Sequence, residues 1–173
     1  MNMALQIQVL PLPRSESDLR TIQVTDIPFY IKKDDIVVAF KRFGNIDSCR
    51  IHAHADLKVQ QARIIYDSAV TITQFNDQWA VYCYSTCLRI TLCHLSLEQK
   101  KSCRKHVALL TQLPANTKDI DLTPLFWQLN AKAVNVPLSF NSYKPKWWAY
   151  VTFGSQELLD AAIEKTVALQ NRQ

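Results

Sequence analysis

The clearest pattern in the chain is a period of two over residues 146–153, KWWAYVTF. Ala149, Val151 and Phe153 fall on one side of a strand, and Lys146, Trp148, Tyr150 and Thr152 on the other. The first set makes an inward face. The second lays two large aromatics and a lysine on a surface, which suits stacked bases and a phosphate, or else a sheet covered by a helix or a partner protein. The same period marks residues 22–25, with Ile22 and Val24 inward and Gln23 and Thr25 outward, and then residues 45–52, 59–66 and 80–84. Residues 87–93 follow, with Leu88, Ile90 and Leu92 inward. A helical spacing of i, i+3, i+4, i+7 runs through Ile36, Ala39, Phe40 and Phe43. Asp34 and Asp35 suit the positive end of that helix dipole, and Gly44 suits the position just past its other end. Residues 67–76 read as a short second helix.

From residue 21 the chain repeats itself. Val24, Ile27 and Pro28 return 86 residues later as Leu110, Leu113 and Pro114, and the helix face returns with the same offset as Leu122, Leu125, Phe126 and Leu129. With an offset of 87, Ala62, Ile64, Tyr66 and Ser68 map onto Ala149, Val151, Phe153 and Ser155. The second copy thus has strands at 107–111 and 131–136, the latter ended by Pro137, with a helix beginning near Asp121 between them. Pro124 is tolerated there because first-turn amides have no helical acceptor. After the loop 138–145 and the aromatic strand, residues 155–169 form an amphipathic helix through Leu158, Leu159, Ala162, Ile163 and Val167. The first copy reads β-α-β-β-α-β. The second stops one strand short, because residues 170–173 are too few and too polar to add one. The expectation is a fragment, or an edge filled by residues 5–10 or by another chain.

Residues 146–153 resemble the octapeptide signature of the RNA recognition motif family, basic-Gly-aromatic-Ala-aromatic-aliphatic-x-aromatic, at seven of eight positions, with Trp147 where the family has glycine. The resemblance covers residues 20–169. It implies an α+β fold of two ferredoxin-like (β-α-β-β-α-β) domains, the second without its last strand. The divisions are a leader (1–19), a degenerate first domain (20–95), a basic linker (96–106) and a second domain (107–173). The resemblance further implies that bases stack on the outward side chains of the first and third strands. In the second copy Trp148 and Tyr150 fill both octapeptide positions and Lys146 would meet a phosphate. Thr152, Leu109 and Thr111 complete that face, with Leu109 standing where an aromatic is usual. In the first copy Gln23, Gln61 and Arg63 occupy the stacking positions, and Arg89 stands on the fourth strand. No platform survives there, although arginines can contact phosphates or lie flat on bases. The first domain is read as a support for the second or a dock for a protein.

Charge sharpens the picture locally. The chain of 173 residues carries a net +5, and residues 96–106 supply more than half of that excess through Lys100, Lys101, Arg104 and Lys105 against a single acid. Read as a flexible connector, residues 96–105 have an end-to-end distance of roughly 17 Å. Two domains held that close can share one RNA strand, and the basic side chains add salt-sensitive phosphate contacts. Five cysteines at irregular spacing argue for reduced thiols and match no zinc pattern. His52 and His54 read as exposed residues at a strand end. With only two glycines there is no Gly-rich phosphate loop, and neither HExxH nor GxSxG occurs. No run of about 18 apolar residues and no signal sequence are present, so the chain reads as intracellular, in nucleus or cytoplasm alike, and not membrane-bound. The expectation is therefore no catalytic residue, metal or cofactor. It is a protein that binds single-stranded RNA, or single-stranded DNA in its place, with a protein partner on the same face as the alternative.

Overall fold

The computed structural model of the protein describes residues 15–53, 59–139 and 141–165. The alternating segments of the first copy assemble into one antiparallel sheet of β1 (Thr21–Pro28), β2 (Ile46–Ala53), β3 (Val59–Tyr66), β4 (Ala80–Cys83) and β5 (Thr86–Leu92), in the order β2-β3-β1-β5-β4. Register follows the pattern of side chains. Ile22 faces Ile64 and Leu92 across the ladder, and Gln23 faces Arg63 and Thr91, so one side of the sheet is apolar and the other polar. Helix α1 (Lys33–Lys41) closes the apolar side, burying Ile36 and Phe40 against Ile22, Val24, Ile64 and Phe75. Tyr66 joins that core as a fully buried ring and donates its hydroxyl to the Phe40 carbonyl at 3.0 Å, which removes the cost of an unsatisfied buried group.

Two expectations change here. The second helix of the first unit is a 3-10 helix confined to Thr71–Asn76; the two strand-like runs expected after it do form, and pair as the hairpin β4–β5 closed by Tyr84 in a left-handed conformation at φ 53°. Gly44 is not a left-handed helix cap, since no described glycine has a positive φ. Its role is spatial: a Cβ there would lie 2.6 Å from Thr71 Cγ2, so glycine lets the 3-10 helix approach the end of α1. His52 lies in β2 and is exposed, while His54 falls outside the described residues.

The second copy folds in the same sense. Strands β6 (Val107–Leu110), β7 (Ala133–Asn135) and β8 (Ala149–Thr152) take the order β6-β8-β7, matching β1-β3-β2 of the first unit. Helices α3 (Thr123–Gln128) and α4 (Gln156–Ile163) supply the inner layer, packing Leu125, Leu129, Leu158 and Leu159 against Val134, Val151 and Phe153. The Ser155 hydroxyl caps α4 by accepting from Leu158 N at 3.3 Å. Both units are ferredoxin-like, and among the described residues the second has three strands. Residues 5–10, 166–169 and 170–173, which bear on the remaining helix turn and the edge strand, lie outside the described residues.

The connector is not a loose tether. Residues Leu97–Ser102 form helix α2, whose first turn is closed reciprocally: Ser96 Oγ accepts from Gln99 N, and Gln99 Oε1 accepts from Ser96 N. The two units are docked. Ala133 on the outer side of β7 seats against Ala80 and Cys87 on the outer side of the first sheet, with Tyr82 beside them, and Tyr82 meets Phe126 edge to face at 6.5 Å. At the centre is Asp119, almost fully buried. One of its carboxylate oxygens accepts from Cys87 N of the first unit at 2.7 Å, and the other from Val136 N of the second at 2.6 Å. Ile120 N donates to Ser85 O at 3.1 Å, and Lys132 Nζ donates to Asp77 O at 2.8 Å.

Two outcomes follow from this joint. Asp119→Ala leaves two buried amides without acceptors, at about 1.5–3 kcal/mol for each bond to the charged group. Urea denaturation is expected to show the single transition splitting in two or shifting to lower urea, whereas an unchanged midpoint and slope would count against the latch. Burial pushes the Asp119 carboxyl up to about 6, against the pull of the two amides and with Asp26 adding to the rise. A carboxyl raised above its unfolded value of 3.8 holds its proton more tightly when folded, so its contribution to stability grows as pH falls through 6 towards 3.8. Melting of wild type relative to Asp119→Asn should therefore gain about 2–4 °C for each kcal/mol recovered on going from pH 7.5 to 5.5, and a constant difference would refute the assignment.

Candidate nucleic-acid interface

Ladder register builds the outer face of the second sheet in two rows. Leu109, Tyr150 and Asn135 lie side by side across β6, β8 and β7, and one step along lie Val107, Thr152 and Ala133. The second row is closed at its β7 end. Thr152, expected to stand open beside Tyr150, is only 2 % exposed, because the row it belongs to runs into the joint where Ala133 meets Ala80 and Cys87. The first row stays bare: Tyr150 is 47 % and Leu109 57 % exposed.

Residues 146–148 extend this face beyond the ladder proper, which begins at Ala149. Main-chain bonds fix them, from Lys146 N to Pro137 O at 2.8 Å and from Leu113 N to Trp147 O at 2.9 Å. Gln112, left-handed at φ 62°, provides the break between Leu110 and Leu113 that the second of these bonds spans. Trp148 is half-buried, with the Lys146 ammonium 5.7 Å from its ring centroid. Trp147, where the family pattern has glycine, turns its ring outward at 58 % exposure and meets Trp148 edge to face at 5.1 Å. Its ring therefore lies in solvent beside Trp148. Thr111 is exposed just past the end of β6.

The corresponding face of the first unit is occupied by its own neighbours. Gln23 Nε2 donates to Gln61 Oε1 at 2.7 Å. Arg63 is paired with Asp18 at 2.6 Å, and Arg89 donates to the Cys103 carbonyl at 3.3 Å. Burial lowers the Arg89 pKa, partly offset by the nearby Asp26 carboxylate, so this guanidinium sits inside the fold rather than on its surface. Its bond to Cys103 ties the turn after α2 to the first sheet. On that segment Lys101, Arg104 and Lys105 are exposed and Lys100 half-buried, forming a fixed basic strip rather than a swinging one. The structure thus pairs Leu109 with Tyr150 across the ladder and sets the Lys146 ammonium over Trp148 in the segment just before β8, while Arg63 and Arg89 are held in internal contacts elsewhere.

Three features escape sequence reasoning. Asn135 joins the face only through its pairing with Tyr150, and Trp147 looked like a departure from a pattern. The third is a cleft of about 560 Å³ between the units, whose walls include Asp26, Tyr30, Thr86, Asp119 and Tyr143. There Tyr30 and Thr86 hydroxyls lie 2.9 Å apart, and the Tyr30 and Tyr143 rings meet edge to face at 5.8 Å. Among the described residues no three His, Cys, Asp or Glu side chains gather as a metal site would require.

No protein-family model matches the sequence, and no curated protein matches it. Among solved structures, the chain is similar to the first two RRM domains of the yeast poly(U) binding protein Pub1, at 17 % identity over 84 % of this chain and 88 % of that one, with a TM-score of 0.37. It is similar to RNA recognition domains 1 and 2 of Sex-lethal from Drosophila melanogaster at 17 % identity over 83 % and 91 % of the two chains, with a TM-score of 0.37. The third RRM domain of Pes4 aligns at 20 % identity over 44 % of this chain and 94 % of that one, with a TM-score of 0.39. Likenesses of that size carry no weight beside the topology. Strand order, helices confined to one side of each sheet and the internal repeat make this chain a tandem of two ferredoxin-like units, the second with three strands among the described residues.

Proposed function

We propose that the protein binds single-stranded RNA across the outer face of its second sheet. The observation that carries this reading is the bare row of Tyr150 and Leu109, flanked by Trp148 with the Lys146 ammonium over its ring. An open β-sheet offering aromatic rings and a cation can take successive bases by stacking and a phosphate by charge. At about 1–3 kcal/mol per stacked base, Trp148 and Tyr150 together supply roughly 2–6 kcal/mol before ordering costs, so affinity is modest unless further contacts add to it. The basic strip is one source: Lys100, Lys101, Arg104 and Lys105 sit on a fixed helix and turn, where phosphate contacts need little ordering. The same face also favours a second reading, a protein partner, because Val107 and Leu109 present aliphatic rather than aromatic surface at the β6 edge.

Trp148→Ala and Tyr150→Ala should each weaken binding to a short single-stranded RNA about tenfold, as one lost stack implies, while Tyr150→Phe retains most of the affinity. Titration by fluorescence anisotropy at one fixed salt concentration reads this out. Affinities unchanged in both alanine variants would defeat the RNA reading and leave the protein partner. Replacing Lys100, Lys101, Arg104 and Lys105 by Gln should flatten the slope of log K against log salt by up to about 3, at roughly 0.7 per neutralised phosphate. An unaltered slope would remove the basic strip from the interface.

A further inference from the structure

The two copies of the repeat differ at one edge. At the offset of 86, Ile22 and Val24 of β1 correspond to Ala108 and Leu110 of β6. In the first unit β5 lies along β1, with Leu92 opposite Ile22 and Ile90 opposite Val24, and both β1 side chains are fully buried. No described strand lies along the matching side of β6, and Ala108 and Leu110 are only half-buried although they pack against the core. The helices differ in the same sense. In the first unit the 3-10 helix packs on β5 and buries Ile72 and Phe75. Helix α4, which holds the same place after β8, buries no residue fully: Leu158, Leu159 and Ala162 are half-buried and Ile163 is exposed. An open strand edge beside half-covered apolar side chains is a site for an added strand.

The first unit specifies what fits there. In β5 the residues Leu88, Ile90 and Leu92 face the core, with Arg89 and Thr91 between them on the other side. Residues 5–9 have the same alternation, Leu5, Ile7 and Val9 with Gln6 and Gln8 between them. The β1–β5 register, carried over, sets Val9 opposite Ala108, Gln8 opposite Leu109 and Ile7 opposite Leu110. Neither β6 nor this segment carries a charge, and Glu157, Asp160, Glu164 and Lys165 of α4 are exposed, so the pairing buries no charged group. The chain also runs the right way. Thr21 Oγ1 donates to Ser17 O and Thr21 O accepts from Cys93 N at 3.1 Å, so the leader and the linker leave the same corner of the first unit. The linker crosses from that corner to the His106 end of β6, and in the antiparallel register Val9 lies at that same end. Extended, the chain from Val9 to Ser15 spans up to about 20 Å.

We propose that residues 5–9 of this chain form the fourth strand of the second sheet, antiparallel to β6, with Leu5, Ile7 and Val9 on the α4 side and Gln6 and Gln8 on the outer face. A segment ahead of the first unit thus completes the second. A strand tethered in the same chain also has a local concentration that a separate molecule must match. The inference stands apart from RNA binding, although it sets Gln8 in one row with Leu109, Tyr150 and Asn135.

The test uses the full chain with Cys93→Ser and Cys103→Ser, so that the native thiols left are the buried ones, and adds Gln8→Cys with Leu109→Cys. Mild oxidation and peptide mapping should find positions 8 and 109 joined within one molecule, because facing Cβ atoms on one side of a sheet lie about 4.5–5.5 Å apart. Ile7→Cys with Leu109→Cys, whose side chains fall on opposite sides, should stay open. In the otherwise unaltered chain, Ile7→Asp should speed amide exchange at residues 108–110 about tenfold or more, and Gln6→Asp should leave it unchanged. Positions 8 and 109 left unjoined, equal joining in the two pairs, or exchange that responds to neither or to both of the aspartate variants overturns the assignment. A bond between position 109 of two molecules overturns it in favour of a second copy at this edge. RNA affinity enters none of these measurements, so the RNA reading fails or stands on its own titrations.

Discussion

A single buried carboxylate sets the geometry on which the rest depends. Asp119 belongs to the second unit by sequence, yet one of its oxygens closes a main-chain amide of the first unit and the other closes one of its own. A buried acid is costly unless both oxygens are satisfied, and here only the docked arrangement satisfies them. Ala133, Ala80 and Cys87 then fit because all three are small enough to let the outer side of β7 come close to the outer side of the first sheet. The relative placement of the two units is thus a property of packed side chains and amides, and not of the length of the connector.

That placement explains why the two outer faces differ. The first sheet is lined with polar side chains that find partners within the chain: Gln23 with Gln61, Arg63 with Asp18, and Arg89 with the Cys103 carbonyl. The second sheet gives up its β7 end to the joint, which buries Thr152, but keeps the row through Tyr150 and Leu109 in solvent. Aromatic and aliphatic side chains left bare in this way, next to Lys146, are the parts of the surface with most to gain from a partner.

Much of the fold is legible in the sequence because its signals are local. Alternation fixes β3 at the same residues in sequence and structure, and the inward set Ile22, Val24, Ile64 and Leu88 is fully buried. The repeat yields the matching strand orders of the two sheets. What is not legible depends on contacts between distant residues. Gly44 reads as a helix stop, but its lack of a side chain serves Thr71, which is near it only in space. Residues 96–105 read as flexible from their charge, because the bond that anchors the following turn comes from Arg89 on another element. At the site, Trp148 and Tyr150 are visible as a spacing, whereas Asn135 and the cleft exist only once β7 is paired and the units are docked.

Cys87 lies at the heart of that joint, wholly buried, and burial pushes its thiol up to about 12. In the closed arrangement it is therefore inert on two counts, lacking both access and the thiolate form that reagents attack. Cys93 and Cys103 are only half-buried, so they mark the background rate of modification. The slow fraction of alkylation at Cys87 becomes a clock for the parting of the two halves, one that runs without any added label or bound ligand.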